Sequence, residues 1–304
     1  ASILIGRALQ PVEGAVAQWK TFVAARSAYG RMQGMLSALP PDAPRMKLPE
    51  PTGAISLEQL VVAPPGSRVP TLKSVNMEIQ PGEIVGVIGP SGAGKSTLAR
   101  ALTGVWLPLS GHVRLDGADI DNWDPELLGP HIGYLPQDVE LFSGTIAENI
   151  ARFSEIDSGM VVAAAKKAGV HEMVLQMPDG YNTRIGEAGR SLSGGQRQRI
   201  GLARALYGDP KFIILDEPNS SLDSQGEAAL AQAMREAKAE KRTVIVISHR
   251  TSLLNEVDKL AVFTGGTLTM YGPTKAVLDR LNGAGAAIQQ QPTGQVSHMT
   301  RAGT

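Results

Sequence analysis

The run Gly89-Pro90-Ser91-Gly92-Ala93-Gly94-Lys95-Ser96-Thr97 matches the pattern G-x-x-x-x-G-K-[ST], and the chemistry it suits is phosphate binding. Glycines let the backbone curl until successive N–H groups point inward at phosphate oxygens, a path that side chains obstruct. A helix beginning where the loop ends adds its partial positive charge. Lys95 is placed to neutralise β- and γ-phosphates, and the Ser96 hydroxyl to ligate Mg²⁺. Further along, the apolar run Phe212-Ile213-Ile214-Leu215 ends in Asp216-Glu217. Two adjacent carboxylates at the tip of a buried strand are costly unless a metal or water meets them there. Asp216 suits a contact to Mg²⁺, direct or through another ligand. Glu217 suits a base that polarises an attacking water, a role that contributes about 10²–10⁴-fold to a rate.

Such residues need a scaffold that delivers them to one place. Ile84 to Ile88 leads into the loop, and Thr97 to Leu102 follows it with a helical pattern. With Phe212 to Leu215 and Thr243 to Ile247, the first of these is a continuous apolar run of strand length, which suits the centre of a mostly parallel sheet buried on both faces. Residues 158–176 and 224–240 are alanine-rich and helical in period, so residues 54–281 read as one α/β domain. Residues 41–53 are rich in proline and form a linker. Ahead of it, residues 1–40 read as a long helix. Ile5, Leu9, Val12, Val16, Trp19 and Val23 share one stripe, resumed at Tyr29, Met32, Leu36 and Leu39, and Pro11 starts or kinks it. Residues 282–304, with Gln289-Gln290-Gln291 and scattered glycines, have too little apolar content to pack and are expected to be a disordered tail.

Composition removes several classes of chemistry. The 304 residues carry 29 basic and 29 acidic side chains, which gives no electrostatic reason to expect nucleic acid as a partner. The absence of cysteine excludes disulfides, thiolate zinc sites and a cysteine nucleophile. No two of the five histidines stand at metal-ligand spacing. No run reaches the ~20 apolar residues that cross a bilayer as a helix.

Leu192-Ser193-Gly194-Gly195-Gln196 stands 24 residues before the Asp216-Glu217 pair. It resembles the five-residue signature of ATP-binding cassette (ABC) proteins, and the other cassette elements follow in family order. Gln137 in Tyr134-Leu135-Pro136-Gln137-Asp138 is similar to the Q-loop, Ser220-Ser221-Leu222-Asp223 to the D-loop, and His249 to the switch histidine. The resemblance implies a P-loop NTPase cassette of the α/β class. Its mostly parallel core sheet would be joined by an N-terminal antiparallel β subdomain and an α-helical subdomain carrying the signature, with the long helix ahead. It implies a Mg²⁺-dependent ATPase in which two cassettes pair head to tail, most simply as a homodimer. Gly89 to Thr97 and Asp216 would hold ATP, with Ser96, Gln137 and Asp216 around the metal. Glu217, His249 and Gln137 would serve catalysis. Ser193, Gly194, Gly195, Gln196 and Asp223 would act on the nucleotide held by the partner.

Two segments look like exporters. Thr183 to Gly189 is similar to the exporter X-loop, and Leu141 to Ile150 to the surface that receives coupling helices from a membrane domain. Gly6 to Glu13, Ala63-Pro64-Pro65-Gly66 and Leu141 to Thr145 look most like bacterial type I secretion ATPases. That resemblance implies export of a polypeptide across the inner membrane, with the chain's own transmembrane domain, a periplasmic adaptor and an outer-membrane channel as partners. Residues 1–40 would then be the cytoplasmic end of the last transmembrane helix, and the cassette would face the cytoplasm. A lipid or drug exporter with the same engine is the nearest alternative. A soluble ABC ATPase acting on nucleic acid or ribosomes is the alternative of another class. One departure stands out: where many cassettes stack adenine on an aromatic ring, this chain has Pro64-Pro65. Loss of a stacking contact worth about 1–3 kcal/mol leads us to expect weak discrimination of the base.

Overall fold

The computed structural model describes residues 2–38, 48–186, 189 and 191–289. The chain separates into two compact units, Ala1–Arg45 and Met46–Thr304. The first is helix α1, Ser2–Ala38, with Pro11 inside it rather than at its start. Trp19, Phe22, Val23, Met32 and Leu36 along α1 are exposed. Among the described residues no helix is long and apolar enough to cross a membrane. Residues 41–47 of the expected linker lie outside the described residues.

The second unit opens with the antiparallel strands β1 (Ile55–Val62) and β2 (Leu72–Ile79), then β3 (Ile84–Ile88) and helix α2 (Lys95–Leu102). There follow β4 (Ser110–Leu115), β5 (Ala118–Asp119), α3 (Pro125–Leu128), β6 (Ile132–Leu135), β7 (Gly144–Thr145), α4 (Ile146–Ile150), α5 (Ser158–Lys167), α6 (His171–Leu175) and β8 (Arg184–Ile185). The chain continues through α7 (Gly194–Leu206), β9 (Phe212–Asp216), α8 (Ser224–Ala239), β10 (Thr243–Ile247), α9 (Thr251–Leu254), β11 (Lys259–Thr264), β12 (Thr267–Pro273) and α10 (Thr274–Gln289). One sheet has the order β2-β1-β4-β5, and the core sheet has the order β12-β11-β3-β10-β9-β6. In the core sheet β6, β9, β10, β3 and β11 run parallel, and only the edge strand β12 is antiparallel to its neighbour.

The continuous apolar runs are explained by the pleat, which sends successive side chains to opposite faces. Phe212 and Ile214 of β9, with Ile245 and Ile247 of β10, join a core shared with the antiparallel sheet and α2. Ile213, Leu215, Val244 and Val246 join the other core, which continues into α4, α5 and α7. Both faces are therefore covered, as a parallel sheet requires. The helix expected over residues 158–176 is divided, because Gly169 follows the end of α5 at a φ of 65° and turns the chain out of the helix.

Asp116 fixes the chain where it enters β1. Its carboxylate accepts from the Thr52 N–H, from the Thr52 hydroxyl at 2.7 Å and from the Ala54 N–H at 2.9 Å, and its own N–H donates to the Ala54 carbonyl at 2.8 Å. At the other end, α10 runs to Gln289, which corrects the expectation of disorder from residue 282. Once Thr274 to Leu281 has formed a helix, extending it through alanine-rich sequence adds one hydrogen bond per residue without a new nucleation cost. Residues 290–304 lie outside the described residues.

Candidate functional site

Strand β3 delivers the phosphate loop and α2 starts at Lys95, directly after it. Gly89 has a φ of 154°, and a Cβ there would stand 2.2 Å from the Phe263 carbonyl of β11, so no larger residue fits. The Lys95 ammonium reaches back over the loop and donates to the carbonyls of Gly89 at 2.8 Å and Pro90 at 3.0 Å. Parallel neighbours in the sheet bring β9 and β10 to the same edge. There, Glu217 donates its N–H to the Ile247 carbonyl at 2.9 Å. Glu217 follows the last residue of β9 in a left-handed conformation, φ 50°, a strained choice for a residue with a side chain. Its Oε1 lies 3.0 Å from His249 Nε2, with His249 half exposed at 51% and Glu217 at 18%.

Ser91, Gly92, Gly94, Lys95, Ser96, Thr97, Gln137, Glu217 and His249 line one cavity of about 250 Å³, together with Thr71. The sequence-predicted residues from the loop, the Q-loop, the acidic pair and the switch position thus converge. Asp216 lies just beneath, 1% exposed. Burial raises its carboxyl above the usual carboxylate range, a hydrogen bond from Ser96 opposes that, and the charge of Glu217 adds to it. Burial likewise lowers the Lys95 ammonium, against the attraction of Glu217 and Asp216. Asp216 Oδ1 is buried with no hydrogen-bond partner. An orphaned carboxylate oxygen beside a serine hydroxyl is a fitting pair of ligands for Mg²⁺, an ion that takes oxygen donors and leaves most positions to water and phosphate. Among the described residues no group of three or more His, Asp or Glu forms a metal cage, and a Mg²⁺ site of this kind needs none.

The signature residues do not line this cavity. Ser193 caps α7 and is exposed. Its hydroxyl accepts from the Gln196 N–H at 3.2 Å, while Gln196 Oε1 accepts from the Ser193 N–H at 2.8 Å. Gly194 borders a separate cavity with Gln137, Arg197, Gln198, Ser220 and Ser221. Asp223 caps α8 through the Gly226 N–H at 2.8 Å and lies 3.4 Å from Arg199. Ser193 to Gln196 therefore sit where their own chain's phosphate cavity does not reach.

The X-loop segment and the Leu141 to Ile150 segment meet. Strand β8 pairs antiparallel with β7, and the Ile146 N–H donates to the Thr183 carbonyl at 3.1 Å. Beside them Phe142 and Phe153 make an edge-to-face pair at 5.9 Å, and both line a further cavity with Tyr134, Arg152 and Arg204. Glu187 and Ala188 of the X-loop lie outside the described residues.

Three residues escaped the sequence reading. Gln198, 3% exposed, ties α7 to the turn after Glu217. Asn219 is buried and accepts from the Ser248 hydroxyl at 3.2 Å, joining the Glu217 turn to the strand end before His249. Arg152 donates to the carbonyls of Gly129, Ile132, Arg204, Ala205 and Tyr207. The doubled pattern Gln-Arg-Gln-Arg at residues 196–199 was the one available signal for Gln198. The other two are set by contacts far apart in sequence.

The ABC transporter family model matches residues 72–220. The type I secretion system ATP-binding protein PrsD of Rhizobium meliloti is 50% identical over 282 residues, covering 92% of this chain and 48% of that protein. The leukotoxin translocation ATP-binding protein LktB of Mannheimia haemolytica is 37% identical over 294 residues, covering 95% of this chain and 41% of that protein. The chain thus spans about half the length of the curated relatives it matches. Among solved structures, a bacterial Atm1-family ABC exporter with ATP bound superposes with a TM-score of 0.82 at 30% identity, covering 95% of this chain and 52% of the other.

Proposed function

Because the chain belongs to the ABC transporter family, we propose that it is the ATPase of a type I secretion system, hydrolysing ATP to drive export of a polypeptide across the bacterial inner membrane. Convergence of Lys95, Ser96, Gln137, Glu217 and His249 on one polar cavity carries the hydrolytic part of this reading. The 50% identity with PrsD carries the part that concerns the cargo.

In this mechanism the loop N–H groups and Lys95 bind the β- and γ-phosphates. Ser96, Asp216 and Gln137 would hold Mg²⁺, which would supply charge neutralisation on the phosphate oxygens. Glu217 accepts the proton of the attacking water, and His249, in contact with its carboxylate, keeps that carboxylate turned to the γ-phosphate. Water displaces ADP in line, with the added charge on the transferred group met by the loop and Lys95. Ser193, Gly194, Gly195 and Gln196 act on the nucleotide of a second copy, and Asp223 links the two sites. Their position off their own chain's cavity supports a shared site. The remainder of the protein supplies the transmembrane domain, which places the cassette on the cytoplasmic side of the inner membrane. A periplasmic adaptor and an outer-membrane channel complete the path.

The test compares proteins secreted by cells carrying the full-length wild type and Glu217→Gln. One or a few polypeptides should vanish from the medium and remain in the cell, while the purified variant still binds ATP and its turnover falls by about a hundredfold or more. An unchanged set of secreted proteins removes the polypeptide cargo and makes a lipid or small molecule the next to try.

A further inference from the structure

We propose that Gln198 is a positioning residue that yokes the start of the signature helix to the catalytic turn of the same chain, so that each site of the dimer is set by engagement at the other. The inference rests on the hydrolytic reading above and adds a route between its two halves.

A glutamine at 3% exposure is costly unless all its polar atoms find partners. Gln198 finds them in one short turn. Its Nε2 donates to the Glu217 carbonyl at 3.0 Å and to the Ser220 hydroxyl at 3.1 Å, and its Oε1 accepts from the Ser221 N–H at 2.8 Å. Its neighbours on α7, Ile200 and Leu202, are plain core residues, and an aliphatic side chain would serve packing at 198 without the cost of burying an amide. The amide therefore serves the turn.

Glu217 is the residue most in need of such support. Its left-handed backbone persists only where the surroundings over-determine it. Its N–H is held by Ile247 in the core sheet, while its carbonyl is held by Gln198 and by the Ser220 N–H at 3.1 Å. A second contact binds the same two elements together. A Cβ on Gly195 would stand 2.8 Å from the Ser221 carbonyl, so the first turn of α7 lies directly against the D-loop backbone. Any displacement of the α7 start, where Ser193 would meet the partner's γ-phosphate, is passed to Ser221, Ser220 and the Glu217 carbonyl. Gln198 is the side chain through which it passes.

The experiment measures kcat, KM for ATP and thermal stability in the full-length protein for wild type, Gln198→Met and Glu217→Gln. It also measures ATP trapping in the Gln198→Met/Glu217→Gln double variant. Gln198→Met keeps the length and removes every hydrogen bond. A misaligned base should lower kcat by about ten- to a hundredfold while KM stays within about threefold, and the double variant should still trap ATP. Ser220→Ala, which removes one partner and leaves Gln198 in place, should show the same split at smaller size and keeps the test decisive if Gln198→Met folds poorly. Unchanged kcat in both variants overturns the proposal, as does a loss of kcat, KM and trapping in step with melting temperature. Wild-type turnover no higher than that of Glu217→Gln overturns instead the hydrolytic reading beneath it.

Discussion

Burial acts on Asp216 and Lys95 in opposite chemical senses with one result: each is pushed towards its neutral form, in a site whose proposed work needs both charged. A carboxyl whose folded-state value lies above its unfolded value supports the fold while protonated, and that support is lost as the pH rises through the elevated value. An ionised Asp216 is therefore a liability to the protein without nucleotide, and in the proposed site Mg²⁺ with phosphate would turn it into a ligand. Asp216→Asn removes the charge and keeps the shape. In melts with a chelator and no nucleotide, from about pH 4 to about pH 8, this variant should be the more stable protein at the upper end and lose the advantage at the lower. Its ATPase activity should be abolished. A lower melting temperature than wild type at neutral pH would count against the burial argument. This residue was legible from sequence because its position is local: an apolar run of strand length ending in two carboxylates admits few other meanings.

At the scale of elements, α7 and β6 lie close because Gly133 has no side chain. A Cβ there would stand 2.2 Å from the Ala205 carbonyl. Gly133→Ala must push the signature helix away from the strand that leads to Gln137, and should destabilise the fold by about 1–3 kcal/mol in urea unfolding. Wild-type stability in that variant would mean that α7 moves freely against the sheet. Arg152 reinforces the same junction, its guanidinium shared among five carbonyls at the C-terminal end of α7 and near the start of β6. Strands and helices with a clear period were readable in advance, since the 2.0 and 3.6 repeats are imposed by each element's own geometry. What fastens one element to another was not. Gln198, Asn219 and Arg152 take partners 19 to 23, 29, and 20 to 55 positions away respectively, and nothing in their local wording announces those partners. The end of α10 shows the reverse error, where composition alone argued for disorder over residues that an existing helix carries along.

For the whole molecule, Ser193 to Gln196 stand apart from the phosphate cavity, and the proposed shared site would therefore have one copy hold the two halves of the chemistry apart. Inactive variants should then complement. Lys95→Ala spoils the loop and leaves the signature, whereas Ser193→Arg spoils the signature and leaves the loop. Each alone should be silent, and co-expression of the two should restore a reduced ATPase activity, because mixed pairs rebuild one complete site whose catalytic turn lacks engagement at the other. Continued silence in verified mixed pairs would place all of the chemistry within one chain. The clip at Asp116 bears on how such a machine takes load. Strand β1 is flanked by antiparallel partners on both sides, Ile55 opposite Ile79 and Leu115, and the residues just before it are fastened to the hairpin between β4 and β5. Tension applied along the axis of β1 ahead of Thr52 meets these bonds side by side, in shear, where they must fail together rather than one after another. The joint is accordingly stiff to a pull and yielding to a peel, which makes the direction of force, more than its size, the quantity that the start of the cassette is built to tolerate.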